Sequence, residues 1–557
     1  MKDITIQLYT SKLQEKLVKF YHQAFKESSR KLDLLDKDAD ILDINANYMS
    51  NGIFLCALDN KNNIVGTIAA RQINTYHEIR RFFVLKRMQN VGIGSTLLSY
   101  TIENLLDRDV SLIKVAVMEE GRGVRCLVER FGFIPTKRYN NSSADIFYRL
   151  EVDLKYKYNF KLNRLRKHFE CSLILNPTEN IPMYNDDNEI NFFEGLYISE
   201  RFKDSSDKII FAGRNEYIRF FEYVKSEWGH ILCAVDVDLK PLAGLNAHLL
   251  LFLCILQPGE TIMLLPEACG GHFATEQILI NLGANVVLMK PDFDNQCVDI
   301  EQTTKLINEH NPEYIFIDRS EGLVYEDFSW LSNFNRPYKI FDASQYLSQI
   351  MLKKHILPFD MGFDMIVSTL HKNYPGPQKG LLAVKTHDDI WSRYLSNAKT
   401  YISNTHPLAI ARSLLPAASS HEFKEYSSEN IVCTEYLEKE LKRLGVPVVE
   451  RSNNHEATLH IWILCGNTED NYQYYLKLEQ LNLLTNYRLL PYNLGYGLRI
   501  GTSAAVRSGL RKRHVKRLAR IMSKAYHEPI TPSLKQEAKE FISSLSLKDN
   551  GIKPYYV

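Results

Sequence analysis

From about residue 170 onward, short apolar runs at 261–265, 285–289, 314–317, 339–341 and 365–367 are separated by segments long enough for a helix. That alternation constrains the fold more than any other feature, because strands joined through helices run parallel and need helices on both faces of their sheet. The predicted class is α/β, with a mixed, mostly parallel sheet in a large domain. The rhythm then changes: a helix at 431–444 and strands at 458–464 and 497–501 read as a smaller C-terminal α+β lobe.

The first 150 residues show a different order. A helix at 13–28 precedes strands at 53–58, 65–72 and 80–85, with the polar turn Asp59-Asn60-Lys61-Asn62-Asn63 joining the first two strands. Gly92-Ile93-Gly94 opens a helix through 105, followed by a strand at 112–117 and a helix ending at Gly132. Single cores stop growing at roughly 250 to 300 residues, so this chain of 557 residues divides into two or three domains. The expected boundaries are 1–152, a linker at 153–169, a large domain at 170–415 and a small domain at 416–557.

A formal net charge of +2 gives no strong pull toward a polyanion, and the basic cluster at 507–517 reads as a solvated helix face. Nucleic acid is not an expected partner. No apolar run approaches the ~18 residues of a membrane span, the N-terminus lacks a secretory signal, and the nine cysteines include no CxxC pair. The expectation is a cytoplasmic enzyme with no membrane segment and no metal.

Chemistry enters at His371-Lys372-Asn373-Tyr374-Pro375-Gly376-Pro377, which follows an apolar strand. Ligands of open α/β sheets bind at such strand ends, and a lysine amine there condenses with an aldehyde once burial or a cationic neighbour lowers its pKa. Upstream, Asp342 closes another apolar strand. A carboxylate in that place can hold a pyridine nitrogen protonated, which makes the ring an electron sink; the plain alternative is a helix N-cap. Together the two residues point to pyridoxal 5'-phosphate (PLP).

Residues 170 to about 525 resemble the serine hydroxymethyltransferase family of fold-type-I PLP enzymes. The landmarks stand in the family's order: Asn176-Pro177-Thr178-Glu179-Asn180, Asn215-Glu216-Tyr217, Pro241-Leu242-Ala243-Gly244-Leu245-Asn246-Ala247, Gln257-Pro258-Gly259-Glu260-Thr261, Ala268-Cys269-Gly270-Gly271-His272, then Ser320, Asp342, His371-Lys372 and Leu498-Arg499-Ile500-Gly501-Thr502. The resemblance implies that Lys372 carries the cofactor, Asp342 meets its ring nitrogen, His272 stacks on the ring and Ser320 bonds its 3-hydroxyl side or the substrate. It places the phosphate at Ala243, Gly244 and Leu245, with His371 close by, and the substrate carboxylate on Arg499; His406, from a segment that departs from the family, is a further candidate to reach a phosphate or substrate. It also implies a homodimer. The plain alternatives are a histidine capping a Gly-Gly turn, a serine in a loop and an arginine in a surface strand.

The chain departs from the family at informative points. Ala243-Gly244-Leu245 lacks the usual hydroxyls of the phosphate turn, Asn404-Thr405-His406-Pro407 replaces a glycine pair, and Gln345 stands where histidine is frequent. The folate-holding, glutamate-bearing stretch is replaced by residues 202–212, in which Asp204 is the nearest carboxylate and a candidate substrate ligand. Folate-independent aldolase, transaldolase or hydroxymethyltransferase-like chemistry at Cα of a glycine-, serine- or threonine-like amino acid is therefore expected, with an aldehyde as co-substrate.

In the N-terminal part, Gln89-Asn90-Val91-Gly92-Ile93-Gly94 opens a helix after a strand, and a helix N-terminus with close backbone approach suits a diphosphate. With Arg130-Phe131-Gly132-Phe133 downstream, residues 1–150 resemble the GNAT family of acyl-CoA-dependent N-acyltransferases. The resemblance implies that acetyl-CoA or another acyl-CoA binds the N–H groups of 91–94, and that Glu78 is the base for the incoming amine. An exposed strand carboxylate is the plain alternative for Glu78. Val128 stands where a thiolate-protonating tyrosine is frequent. The leading expectation is a bifunctional enzyme; the rival is a decarboxylating-condensation or aminotransferase-type PLP enzyme with a non-catalytic, acyl-CoA-binding regulatory module.

Overall fold

The computed structural model describes residues 4–28, 30–108, 110–119, 121–153, 156, 160, 172–175, 215–401, 406–452 and 456–545. Its contacts separate two units, Met1–Glu170 and Cys171–Val557. Asn176 to Asn180, the 202–212 segment with Asp204, and Asn404 and Thr405 lie outside the described residues.

The first unit is built on a seven-stranded sheet in the order Thr5–Leu8, Gly52–Leu58, Ile64–Ile73, Tyr76–Val84, Leu112–Val117, Ile146–Glu151 and Ile134–Pro135. All neighbours are antiparallel except Tyr76–Val84 beside Leu112–Val117. That parallel pair holds register only through His77↔Ile113, Glu78↔Lys114 and Ile79↔Val115, so the strands part beyond it. The helix Gln14–Glu27 buries Leu17, Phe20, Tyr21, Ala24 and Phe25, one face at helical spacing. Helix Ile93–Leu106 starts from Gly92, whose φ of 89° lies in the left-handed region that glycine adopts without strain.

The second unit contains a seven-stranded sheet in the order Asn285–Leu288, Thr261–Leu264, Tyr314–Ile317, Tyr338–Asp342, Met365–Thr369, Gly380–Val384 and Asp236–Asp238. Only Gly380–Val384 runs against the rest. Successive side chains alternate between faces: Ile262, Leu264, Phe316, Ile340 and Val367 pack with helix Gly244–Ile255 and Trp391 on one side. Met263, Ile315, Ile317, Phe341 and Ile366 pack into the larger cluster on the other. Burial of both faces explains why these strands read as continuous apolar runs rather than as alternating ones. The mixed, mostly parallel α/β architecture expected for this region is present.

Beside it stand a three-stranded antiparallel sheet of Ile461–Ile463, Gly495–Ile500 and Asn486–Leu490 and the helices Ser420–Arg443, Thr468–Gln480, Lys512–His527 and Pro532–Ser544. Among the described residues, no helix is long and apolar enough to cross a membrane.

Candidate active site

Four parallel strands of the second unit end on one edge, and each delivers a polar group there: His272 after Thr261–Leu264, Asp318 after Tyr314–Ile317, Asp342 closing its own strand, and Lys372 after Met365–Thr369. Backbone direction alone places these side chains together.

Asp342 is buried, and both its oxygens are engaged. Oδ2 lies 2.6 Å from Nε2 of His248, and Oδ1 accepts the N–H of Ser344 at 2.6 Å. Burial opposes its ionisation, yet the hydrogen bond and charge of His248, helped by Lys372 and Ser344, bring its pKa down to about 2. An ionised carboxylate only accepts, so His248 carries its proton on Nε2. His248 sits on the second turn of helix Gly244–Ile255, and Thr275 Oγ1 lies 3.4 Å from its Nδ1. Thr275 in turn donates to Asp318 Oδ2 at 2.6 Å, and Asp318 Oδ1 accepts the His272 N–H at 3.4 Å. Asp318 behaves in the opposite sense to Asp342: burial, reinforced by the charge of Asp342, lifts it to about 7 against the lowering by His248 and Thr275. One edge thus holds a carboxylate fixed as an anion and another able to carry a proton at neutral pH.

Lys372 is partly buried, and its pKa is lowered first by desolvation, with Arg499 adding to the effect against Asp342, Glu321 and Asp318. His272 is held at about 4, chiefly by burial, then by His248 and Lys372. Its ring meets that of His248 edge-on at 6.0 Å and stacks on Phe273 at 4.7 Å. His371 is likewise pushed to about 4 by burial and by Lys372.

At the start of helix Gly244–Ile255, a Cβ on Gly244 would stand 2.4 Å from Thr369 Cγ2. Only glycine allows this approach. Thr369 donates its N–H to Ser344 Oγ at 2.9 Å, and its hydroxyl is buried without a partner among the described residues. Thr369 therefore supplies a hydroxyl beside the helix N-terminus that Ala243-Gly244-Leu245 lacks. Ala243 is the extended N-cap, its carbonyl bonded to Ala247, and Leu245 points outward.

Arg499, buried on strand Gly495–Ile500, donates through Nη1 to Glu321 Oε1 and, at 3.2 Å, to the carbonyl oxygen of Ser320. Arg488 of the neighbouring strand reaches the same glutamate oxygen at 2.5 Å. Gln345 accepts from or donates to neither arginine; its Oε1 lies 3.2 Å from Nε2 of buried His460. His406, exposed at the start of helix Pro407–Ser413, takes no part in the Asp342–His248 network.

Of the residues expected from sequence, His272, Asp342, Lys372, His371, Gly244, Ser320 and Arg499 thus belong to this edge. His248, Thr275, Asp318, Glu321, Thr369, Arg488 and His460 are the additions. The edge fits a phosphorylated aromatic aldehyde. Buried polar atoms without partners among the described residues, namely Thr369 Oγ1, His371 Nδ1, Gln345 Nε2, His460 Nδ1 and Arg499 Nε, are what a polar ligand would satisfy.

In the first unit, Glu78 is buried, 4% exposed, rather than an exposed strand carboxylate. It accepts from Asn140 Nδ2 and has Arg80 Nε at 3.8 Å. Tyr139 packs edge-on to Tyr76 at 5.6 Å, and the Lys114 ammonium lies 4.2 Å and 4.9 Å from these two ring centroids. Gln89 turns back, donating Nε2–H to the Val84 carbonyl at 2.9 Å, while Val91 is exposed and Ile93 is buried as the first helical residue. A Cβ on Gly94 would meet Leu127 and Phe82 at ordinary contact distance, 3.6 Å from each.

The family model for serine hydroxymethyltransferase matches residues 193–522, more than half of the chain and the whole of this edge. The chain belongs to the serine hydroxymethyltransferase family. The acetyltransferase (GNAT) family model matches residues 12–133, so the family domain is preceded by a GNAT domain. Serine hydroxymethyltransferase of Pyrobaculum calidifontis is 24% identical over 335 residues, 58% of this chain and 77% of the relative. That of Korarchaeum cryptofilum is 26% identical over 344 residues, 57% and 78% of the two chains. Among solved structures, L-threonine transaldolase from Pseudomonas fluorescens superposes with a TM-score of 0.65 at 20% identity, covering 72% of this chain and 94% of that one. At that identity the likeness establishes the fold.

Proposed function

We propose that this family member is a bifunctional enzyme. Its PLP part makes or breaks a bond at Cα of a glycine-, serine- or threonine-like amino acid, with an aldehyde as partner and without folate. Its GNAT domain transfers an acyl group from acyl-CoA to an amine of the product or of a related metabolite. The observation that carries the first half is the Asp342–His248 pair on the same strand edge as Lys372.

When bound, PLP would supply an aldehyde for the substrate amine and a ring that withdraws electrons from Cα. Lys372 would hold it, with Asp342 at the ring nitrogen, His272 against the ring face, and Gly244 with Thr369 at the phosphate. Asp342, kept anionic by His248, holds a positive charge at the atom it faces. Lys372, its pKa lowered by burial, gives up a proton more readily than an exposed lysine, which suits its amine to take up and return protons. Arg499 and Ser320 orient the substrate.

Loss of the family's folate-holding stretch in the sequence supports an aldehyde in place of a one-carbon donor. Burial of Glu78 with Asn140, beside an aromatic wall that already receives an ammonium, supports amine acceptance in the GNAT domain. The family resemblance supports a homodimer. Purified protein mixed with glycine and assorted aldehydes, against serine, threonine and 2-oxo acids, tests the reaction class. Turnover only with 2-oxo acids would overturn it. Thiol release from acetyl-CoA by the full chain, screened over amino acids and amines, tests the second half.

A further inference from the structure

Glu321 is fixed from two sides. Its backbone N–H donates to the Gly270 carbonyl at 2.9 Å. Gly270, at φ +89°, sits so close that a Cβ there would stand 1.8 Å from the Glu321 carbonyl oxygen. The Glu321 side chain, on a residue 2% exposed, puts one oxygen, Oε1, between Arg499 and Arg488, which come from adjacent strands of the C-terminal sheet. Two guanidiniums around one carboxylate, that of Arg499 buried and that of Arg488 partly exposed, leave a net charge of +1 beside Glu321. Among the described residues, Glu321 Oε2 and Arg499 Nε have no partner there. Unbalanced buried charge is costly, so the cluster is one carboxylate short.

Arg499 is also the residue that the reading above gives to the substrate carboxylate, and its Nη1 is already taken. We propose that Glu321 is a resident carboxylate that competes with the substrate carboxylate for Arg499, and that Arg488 is the second seat to which it retreats. The pair thereby sets the affinity for monocarboxylate amino acids. This inference rests on the amino-acid reading of the site. Glu321 and Arg488 act here as specificity determinants, since each works through Arg499.

The test uses the full-length, cofactor-loaded protein and two probes: glycine, followed by the visible absorbance of the protein, and propionate, a carboxylate with no amine, followed by calorimetry. Glu321→Gln is expected to tighten both by about tenfold, because a neutral amide gives up Arg499 more readily than a carboxylate does. Arg488→Gln, at a side chain 23% exposed, is expected to weaken both by about tenfold and to have no effect in the Glu321→Gln background. Unchanged or weaker binding by Glu321→Gln overturns the proposal. Should that variant not fold, Arg488→Gln without loss of propionate affinity overturns it equally. A wild-type protein that takes up no PLP would instead refute the function proposed above, and the propionate arm would still decide on Glu321.

Discussion

Replacing His248 with asparagine removes the partner 2.6 Å from Asp342 Oδ2 and leaves the carboxyl in the same buried place. Burial, the largest influence on this group, raises its pKa; His248 is the chief reason the value nevertheless lies near 2 instead of the ordinary 3.8. That depression of about two pH units corresponds to roughly 2 to 3 kcal/mol favouring the ionised form. A charge-assisted hydrogen bond lost from a buried group costs about 1.5 to 3 kcal/mol, which agrees. The sign follows from linkage. A carboxyl depressed in the folded state contributes stability above its unfolded pKa, and that contribution disappears as pH falls through the folded value near 2. Without His248 that depression is lost and the folded pKa moves up, so the loss begins at milder acidity than in wild type. Titrating PLP onto the apoprotein between pH 5 and 8 by absorbance measures the consequence. His248→Asn should weaken binding by roughly ten- to a hundredfold. Equal affinity for wild type and variant across the range would refute the reasoning.

Gly244→Ala forces a methyl to within 2.4 Å of Thr369 Cγ2, so it should lower the thermal midpoint and loosen PLP, with about 1 to 3 kcal/mol of overpacking cost; an unchanged midpoint with unchanged PLP affinity would contradict the close approach. Glu78→Gln should lower acyl transfer by about a hundredfold or more while acetyl-CoA binding by calorimetry stays as it was; undiminished thiol release would remove Glu78 from the proton transfer.

Much of the sheet was legible, and for a physical reason. Strands buried on both faces must be apolar throughout, so runs such as Tyr314–Ile317 and Met365–Thr369 stand out without periodicity. Gly380–Val384 and Asp236–Asp238 did not: the first is antiparallel and follows a Gly/Pro loop where the alternation leads one to expect a helix, and the second has three residues. The helix expected at 431–444 begins eleven residues earlier, at Ser420, because its first turns are mostly polar in sequence and bury only Phe423 and Tyr426 of their apolar residues. At the site, Asp342 and Lys372 could be found because strand ends are local features. Their partners could not. His248 reaches Asp342 across 94 positions and Glu321 reaches Arg499 across 178, separations that only the folded chain closes. His248 did leave one trace, as a lone imidazole in the otherwise apolar run 247–255.

Whether the ε-amine of Lys372 holds PLP is read from the absorbance spectrum of Lys372→Ala beside wild type. Wild type is expected to show a visible band that shifts on adding glycine, serine or threonine, and the variant neither band nor shift. A variant that keeps both the colour and the response to amino acids would contradict that role for Lys372.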